Sequence, residues 1–109
     1  MRPSLLRLSA TAVLYVVVFS AVCHGQDAAK IFNANCTLCH STNGSGDSPT
    51  GKALHAKDLR SDEVQKQDDA TLNEVITKGK GKMPAFGAKV KADDVTKLVA
   101  YVRQLPKQK

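Results

Sequence analysis

The pentapeptide Cys36-Thr37-Leu38-Cys39-His40 decides more about this chain than any other stretch of its 109 residues. Residues three apart on a helical turn share a face, so the two thiols project together and the imidazole follows directly behind them. This is the attachment sequence of a c-type haem, in which each thiol adds to one vinyl group and the histidine reaches the iron from the same side. Three other uses of paired cysteines fit the surroundings less well. A thioredoxin-like redox pair calls for a βαβ pattern, which the flanking residues do not show. A zinc site calls for a fourth ligand and usually a second cysteine pair. A disulfide between Cys36 and Cys39 closes a loop too short to stabilise much.

The beginning of the chain supports the haem reading, because attachment chemistry of this kind is extracytoplasmic. Met1, Arg2, Pro3 and Ser4 precede a run to Cys23 whose only charge is Arg7, the pattern of a secretory signal. The uncharged part, Leu8 to Cys23, has 16 residues, fewer than the roughly 20 a spanning helix needs. Cleavage is expected after Gly25, with Cys23 as second choice, giving a signal peptide over 1–25 and one domain over 26–109. The alternative is an uncleaved membrane anchor. A lipoprotein signal at Cys23 is disfavoured by the bulky Val22 before it. The expected compartment is a bacterial periplasm, with a thylakoid lumen as the alternative; cleavage would leave no stable membrane insertion.

An 84-residue mature chain rarely builds a sufficient core from side chains alone. Residues 26–109 hold only three aromatics, Phe32, Phe86 and Tyr101, and only the two motif cysteines. A large apolar cofactor would fill the middle. Removing Arg2 and Arg7 from the 16 basic residues leaves 14 against 10 acidic ones, a net charge near +4. That charge is mixed along the chain and lacks a basic stripe interleaved with aromatics, so nucleic acid is excluded as a partner.

Four helices and no strands are expected, an all-α domain. Asp27 reads as the N-cap of a first helix running to about Cys36. The stretch from His40 to Leu54, rich in Gly, Ser and Thr with Pro49 in its middle, reads as loop. A short helix starts at Ser61. A better one runs from an Asp69 cap through Leu72, Val75 and Ile76 to Gly79. The last is the clearest: Asp93 and Asp94 favour its positive end, Val95, Leu98, Val99, Val102 and Leu105 form one apolar stripe, and Pro106 stops it.

A haem iron has a sixth position, and what fills it separates an electron carrier from a gas-binding or catalytic site. Met83 is the only methionine after signal removal. Pro84 biases it towards an extended conformation, and Gly79 and Gly81 let the backbone come close. Its alternative role is filling a gap in the core. His55 is the other candidate ligand; a solvent-facing histidine is the simpler account of it.

From Asp27 to Leu105 the chain resembles the class I cytochromes c, the small monohaem kind, and most of all the short bacterial and photosynthetic carriers. The resemblance rests on the motif near the mature start, the methionine loop two-thirds along and the amphipathic helix at the end. Cytochromes c′ carry the motif in their last helix and are set aside. The resemblance implies the cytochrome c fold, about four helices around one covalent haem c, with Phe32 and Tyr101 on N- and C-terminal helices that cross. It implies Cys36 and Cys39 as haem attachments, His40 and Met83 as axial ligands, and Pro49 as the residue whose carbonyl accepts a hydrogen bond from His40. It implies a monomeric electron carrier rather than an enzyme, with Lys78, Lys80 and Lys82 around the exposed haem edge for redox partners with acidic surfaces. The alternatives are a haem subunit or domain of a larger oxidoreductase and a peroxidase or gas-binding haem protein.

Overall fold

The computed structural model describes residues 27–106; the expected signal peptide, residues 1–25, and its cleavage site lie outside them. The described residues are helical, and their only β-type pairing is an isolated antiparallel bridge between Lys80 and Met83. In chain order the helices are α1 over 27–35, α2 Thr37–His40, α3 Pro49–Leu54, α4 Asp62–Gln65, α5 Asp69–Lys78 and α6 Ala92–Gln104.

The last helix forms as its pattern predicts. Val95, Leu98, Val99 and Val102 recur at helical spacing, and all four are buried. Leu105 ends the stripe, also buried. This face packs on α1 through Phe32, and the rings of Phe32 and Tyr101 lie 5.0 Å apart at 47°. Phe32, Val90, Val95 and Leu98 make one cluster, with Cys36, Leu59, Ile76 and Phe86 packed on it. A second cluster of Val64, Leu72 and Val99 joins α4, α5 and α6. Arg103 then staples the far end of α6: its guanidinium donates to the carbonyls of Gln65 and Gln67 and to Asp69 Oδ1. Gln65 answers by donating Nε2–H to the Leu59 carbonyl at 2.7 Å and the Val102 carbonyl at 3.2 Å.

Three expectations need correction. The stretch expected to be loop contains α3, because Ser48 is a good N-cap and Pro49, lacking an N–H to leave unsatisfied, suits the first helical position. Asp68 rather than Asp69 caps α5, its carboxylate accepting the Thr71 N–H at 2.7 Å, which frees Asp69 for Arg103. Asp27 already lies within α1 and is not its cap. Ser61 caps α4 as expected, and Gly79 ends α5 with a φ of 77°.

Candidate functional site

The cysteine pair sits where α1 passes into α2. Cys36 donates its N–H to the Phe32 carbonyl at 2.8 Å, and His40 donates its own to Cys36 at 2.9 Å. The helical path thus continues through the motif, and Cys36, Cys39 and His40 stay on successive turns. Both cysteines are half-buried and carry free thiols, so the disulfide reading is set aside. Burial, reinforced by the nearby Cys39, pushes the Cys36 thiol up to about 11.

His40 is buried and its Nδ1 lies 3.0 Å from the Lys57 carbonyl. A carbonyl only accepts, so Nδ1 carries the proton and Nε2 holds the lone pair. Among the described residues no buried side-chain nitrogen or oxygen lacks a partner. Nε2 makes no hydrogen bond of its own, so it opens onto free space. Desolvation pulls the imidazole below its ordinary pKa, towards the neutral form a metal ligand requires, while the Lys57 bond opposes that shift.

Lys57 corrects the expectation for Pro49. Pro49 occupies the first position of α3, and the acceptor for His40 comes from the chain after α3. Two glycines make room for that return. A Cβ on Gly51 would collide with the Cys39 carbonyl oxygen, and one on Gly46 would stand 2.7 Å from the Ala56 oxygen and 3.1 Å from the Lys57 oxygen. Ser48 locks α2 to α3 by accepting the Gly51 N–H at 3.0 Å and donating to the Leu38 carbonyl at 2.7 Å. Ser48 is a site-shaping residue that a Ser-Pro pair before a helix could have revealed. Lys57 offered no such signal, since any residue supplies a carbonyl.

Met83 stands on a tight loop. Lys80 N–H donates to the Met83 carbonyl at 3.1 Å, and Met83 N–H to the Lys80 carbonyl at 3.0 Å. The loop is then tied to the end of α5, whose last carbonyls have no partner within the helix: Phe86 N–H reaches Ile76 O at 2.9 Å and Gly87 N–H reaches Thr77 O at 3.1 Å. Met83 is half-buried and Pro84 exposed. Cys36 and Phe86 pack on the same core cluster, so the motif and the methionine loop are both anchored to the α1–α6 crossing. His55 is an exposed residue ending α3 in a left-handed conformation, φ 57°. Lys78, Lys80 and Lys82 are exposed, Lys78 pairing with Glu74 at 3.1 Å.

Among the described residues no three His, Cys, Asp or Glu side chains come together in a group that could hold a metal ion. A haem c does fit: two unbridged thiols three residues apart and an imidazole whose Nδ1 is taken by the Lys57 carbonyl, leaving Nε2 as the nitrogen for a metal. No helix among the described residues is long and apolar enough to cross a membrane.

Comparison with known proteins agrees. Residues 24–102 match the family model described as cytochrome C oxidase, cbb3-type, subunit III. The chain is 32% identical over 106 residues to a cytochrome c6 of Picosynechococcus sp., covering 90% of each. It is 37% identical over 76 residues to the cytochrome c6 of Microcystis aeruginosa, covering 70% of this chain and 90% of the other. It is also 37% identical over 81 residues to the cbb3-type cytochrome c oxidase subunit FixP of Azorhizobium caulinodans, spanning 73% of this chain but 27% of that protein. Among solved structures, the KustC0563 c-type cytochrome superposes with a TM-score of 0.68 at 30% identity, over 74% of this chain and 99% of that one.

Proposed function

Because the chain belongs to the small class I c-type cytochromes and is an electron carrier with covalently bound haem c, we propose that Cys36 and Cys39 are its thioether attachments and that His40 and Met83 are its axial ligands. When bound, the haem supplies a one-electron ferric/ferrous couple. His40 offers Nε2 to the iron, its ring held in one tautomer by the Lys57 carbonyl. Met83 offers a soft thioether, which favours ferrous iron and raises the potential relative to a second histidine. The observation that carries this reading is the 3.0 Å contact of His40 Nδ1 with the Lys57 carbonyl, since it leaves Nε2 as the one ring nitrogen free for a metal.

The protein exchanges electrons with redox partner proteins. In our reading the mature chain, 26–109, is a soluble periplasmic monomer released by signal cleavage. Lys78, Lys80 and Lys82 then present positive charge to a partner with an acidic face. Electron-transfer rates should fall as salt screens that attraction, and rates that rise with salt would remove the docking surface. The match to a cbb3 oxidase subunit model and to FixP supports a second reading, a haem domain working inside a larger oxidase. Purification without detergent as a lone chain decides for the free carrier, and stable co-purification with an oxidase decides against it.

The ligand set is tested optically. The oxidised holoprotein should show the weak near-infrared charge-transfer band of methionine–ferric haem ligation. Met83→Ala should abolish the band, lower the potential and let cyanide or carbon monoxide bind. A wild type lacking the band, or a variant keeping it, overturns Met83.

A further inference from the structure

Asp58 and Arg60 form the best-built ion pair among the described residues. Arg60 donates Nε–H and Nη2–H to the two carboxylate oxygens, each at 3.0 Å, and its backbone N–H to Oδ1 at 2.9 Å. Both side chains are only 17% exposed, whereas Lys57–Glu63 and Lys78–Glu74 stand at 63% or more. A two-pronged guanidinium–carboxylate pair sheltered from solvent fixes geometry as well as charge, and exposed pairs contribute little. The Arg60 bond holds the Asp58 carboxyl below the usual range.

The backbone around this pair is equally tied. The Asp58 carbonyl accepts from Ser61 N–H at 3.1 Å and Ser61 Oγ–H at 2.7 Å. Leu59 N–H donates to the Gly44 carbonyl at 2.8 Å, and on the upstream side Ala56 N–H donates to Gly51 O at 2.8 Å. Between these anchors lies the Lys57–Asp58 peptide. The peptide unit is planar, so fixing Asp58 fixes the direction of the Lys57 carbonyl, the acceptor for His40 Nδ1. The Lys57 side chain is exposed and takes no part.

We propose that the Asp58–Arg60 pair positions the axial histidine: by clamping the Lys57–Asp58 peptide it holds the Lys57 carbonyl on His40 Nδ1, and so sets how strongly Nε2 donates to the iron. This deepens the functional reading above and rests on His40 being the ligand. A carbonyl accepting from Nδ1 makes the imidazole more basic and favours ferric iron, so loosening the clamp raises the potential. Charge acting through space gives a different pattern. Removing the Arg60 cation would lower the potential, and neutralising both partners would leave it nearly unchanged.

The experiment compares the reduction potentials of the wild-type holoprotein, Arg60→Gln, Arg60→Lys and the double variant Asp58→Asn/Arg60→Gln. It also follows exchange of the His40 Nδ1 proton by NMR in the reduced state. The expected result is a raised potential in Arg60→Gln and in the double variant. Proton exchange there should be about tenfold faster, the protection one hydrogen bond provides. Arg60→Lys, which keeps the charge but one prong of the fork, should fall between them and the wild type. A lowered potential in Arg60→Gln with an unshifted double variant, or unchanged exchange, overturns the proposal and leaves a charge effect. If the Gln variants do not fold, Arg60→Lys decides alone: wild-type exchange and potential overturn the clamp. Wild-type His40 ring protons without the shift of an iron-bound imidazole would overturn the ligand assignment itself, a failure separate from the variant series.

Discussion

The rings of Phe32 and Tyr101 meet 5.0 Å apart at 47°, and this contact joins the helix that leads into the cysteine motif to the helix that closes the domain. Phe32 is the largest fully buried side chain, 1% exposed, so no neighbour can move in to replace it. Phe32→Ala should destabilise the holoprotein by about 3–5 kcal/mol, measured as a drop in the denaturant midpoint. Tyr101→Phe keeps the ring and should cost under about 1 kcal/mol. Equal losses in the two variants would show that the ring contact is not what holds the crossing.

Ser48 gives a second, local test. Its hydroxyl caps α3 at Gly51 N–H and bonds the Leu38 carbonyl in the motif, so Ser48→Ala removes a cap and an inter-helix tie together. The expected loss is about 1–2 kcal/mol. Ser48→Asp, another good cap that cannot donate to Leu38, should recover part of it. A Ser48→Ala protein as stable as the wild type would show that α3 is held by packing alone.

What could be read from the sequence divides along physical lines. The motif and α6 were legible because their information is local: fixed residue types at fixed spacing, and an apolar stripe at helical period. The crossing of Phe32 with Tyr101 came through resemblance. The α3 helix was obscured because Gly44, Ser45, Gly46 and Gly51 read as loop, although Ser48-Pro49 carried a start signal. Asp68 and Asp69 are equally good caps on paper, and only the reach of Arg103 from α6 assigns them. The acceptor for His40 was not legible at all. A backbone carbonyl leaves no mark in the side-chain sequence, and Lys57 meets His40 only because Gly46 and Gly51 lack side chains that would keep their strands of chain apart.

Acid should weaken the domain through Asp68. Its carboxyl is held below the usual range, first by its bond with Thr71. A depressed folded pKa means that the charged carboxylate stabilises the protein above its unfolded pKa near 3.9. That contribution is lost as the pH falls from there through the lower folded value. Asp68→Asn keeps a capping oxygen without the titration. The urea midpoint of the wild type should therefore exceed that of the variant at neutral pH, and the difference should close below about pH 4. A constant difference down to strongly acid pH would show that the carboxylate's charge contributes nothing.

The last prediction separates two glycines beside Met83 that look alike in sequence. Gly79 and Gly81 both have positive φ, 77° and 56°, so alanine at either strains the backbone, by about 1–3 kcal/mol at Gly79, whose ψ of 170° places it in a region open essentially to glycine alone. Their surroundings differ. A Cβ on Gly79 would stand 2.6 Å from the Met83 carbonyl oxygen and 2.9 Å from Ala85 N, while one on Gly81 meets nothing within 4 Å. Backbone atoms cannot swing aside as a side-chain end can, so Gly79→Ala must push the Met83–Ala85 segment away from the end of α5. That strains the Phe86–Ile76 and Gly87–Thr77 bonds that hold the loop. With Met83 as ligand, Gly79→Ala should weaken the near-infrared methionine band and admit exogenous ligands. Gly81→Ala should keep the band at its wild-type strength and lose only stability. If both variants keep the band, the closeness of Gly79 to the Met83 backbone has no bearing on ligation; if both lose it, strain at either position suffices and the steric argument fails.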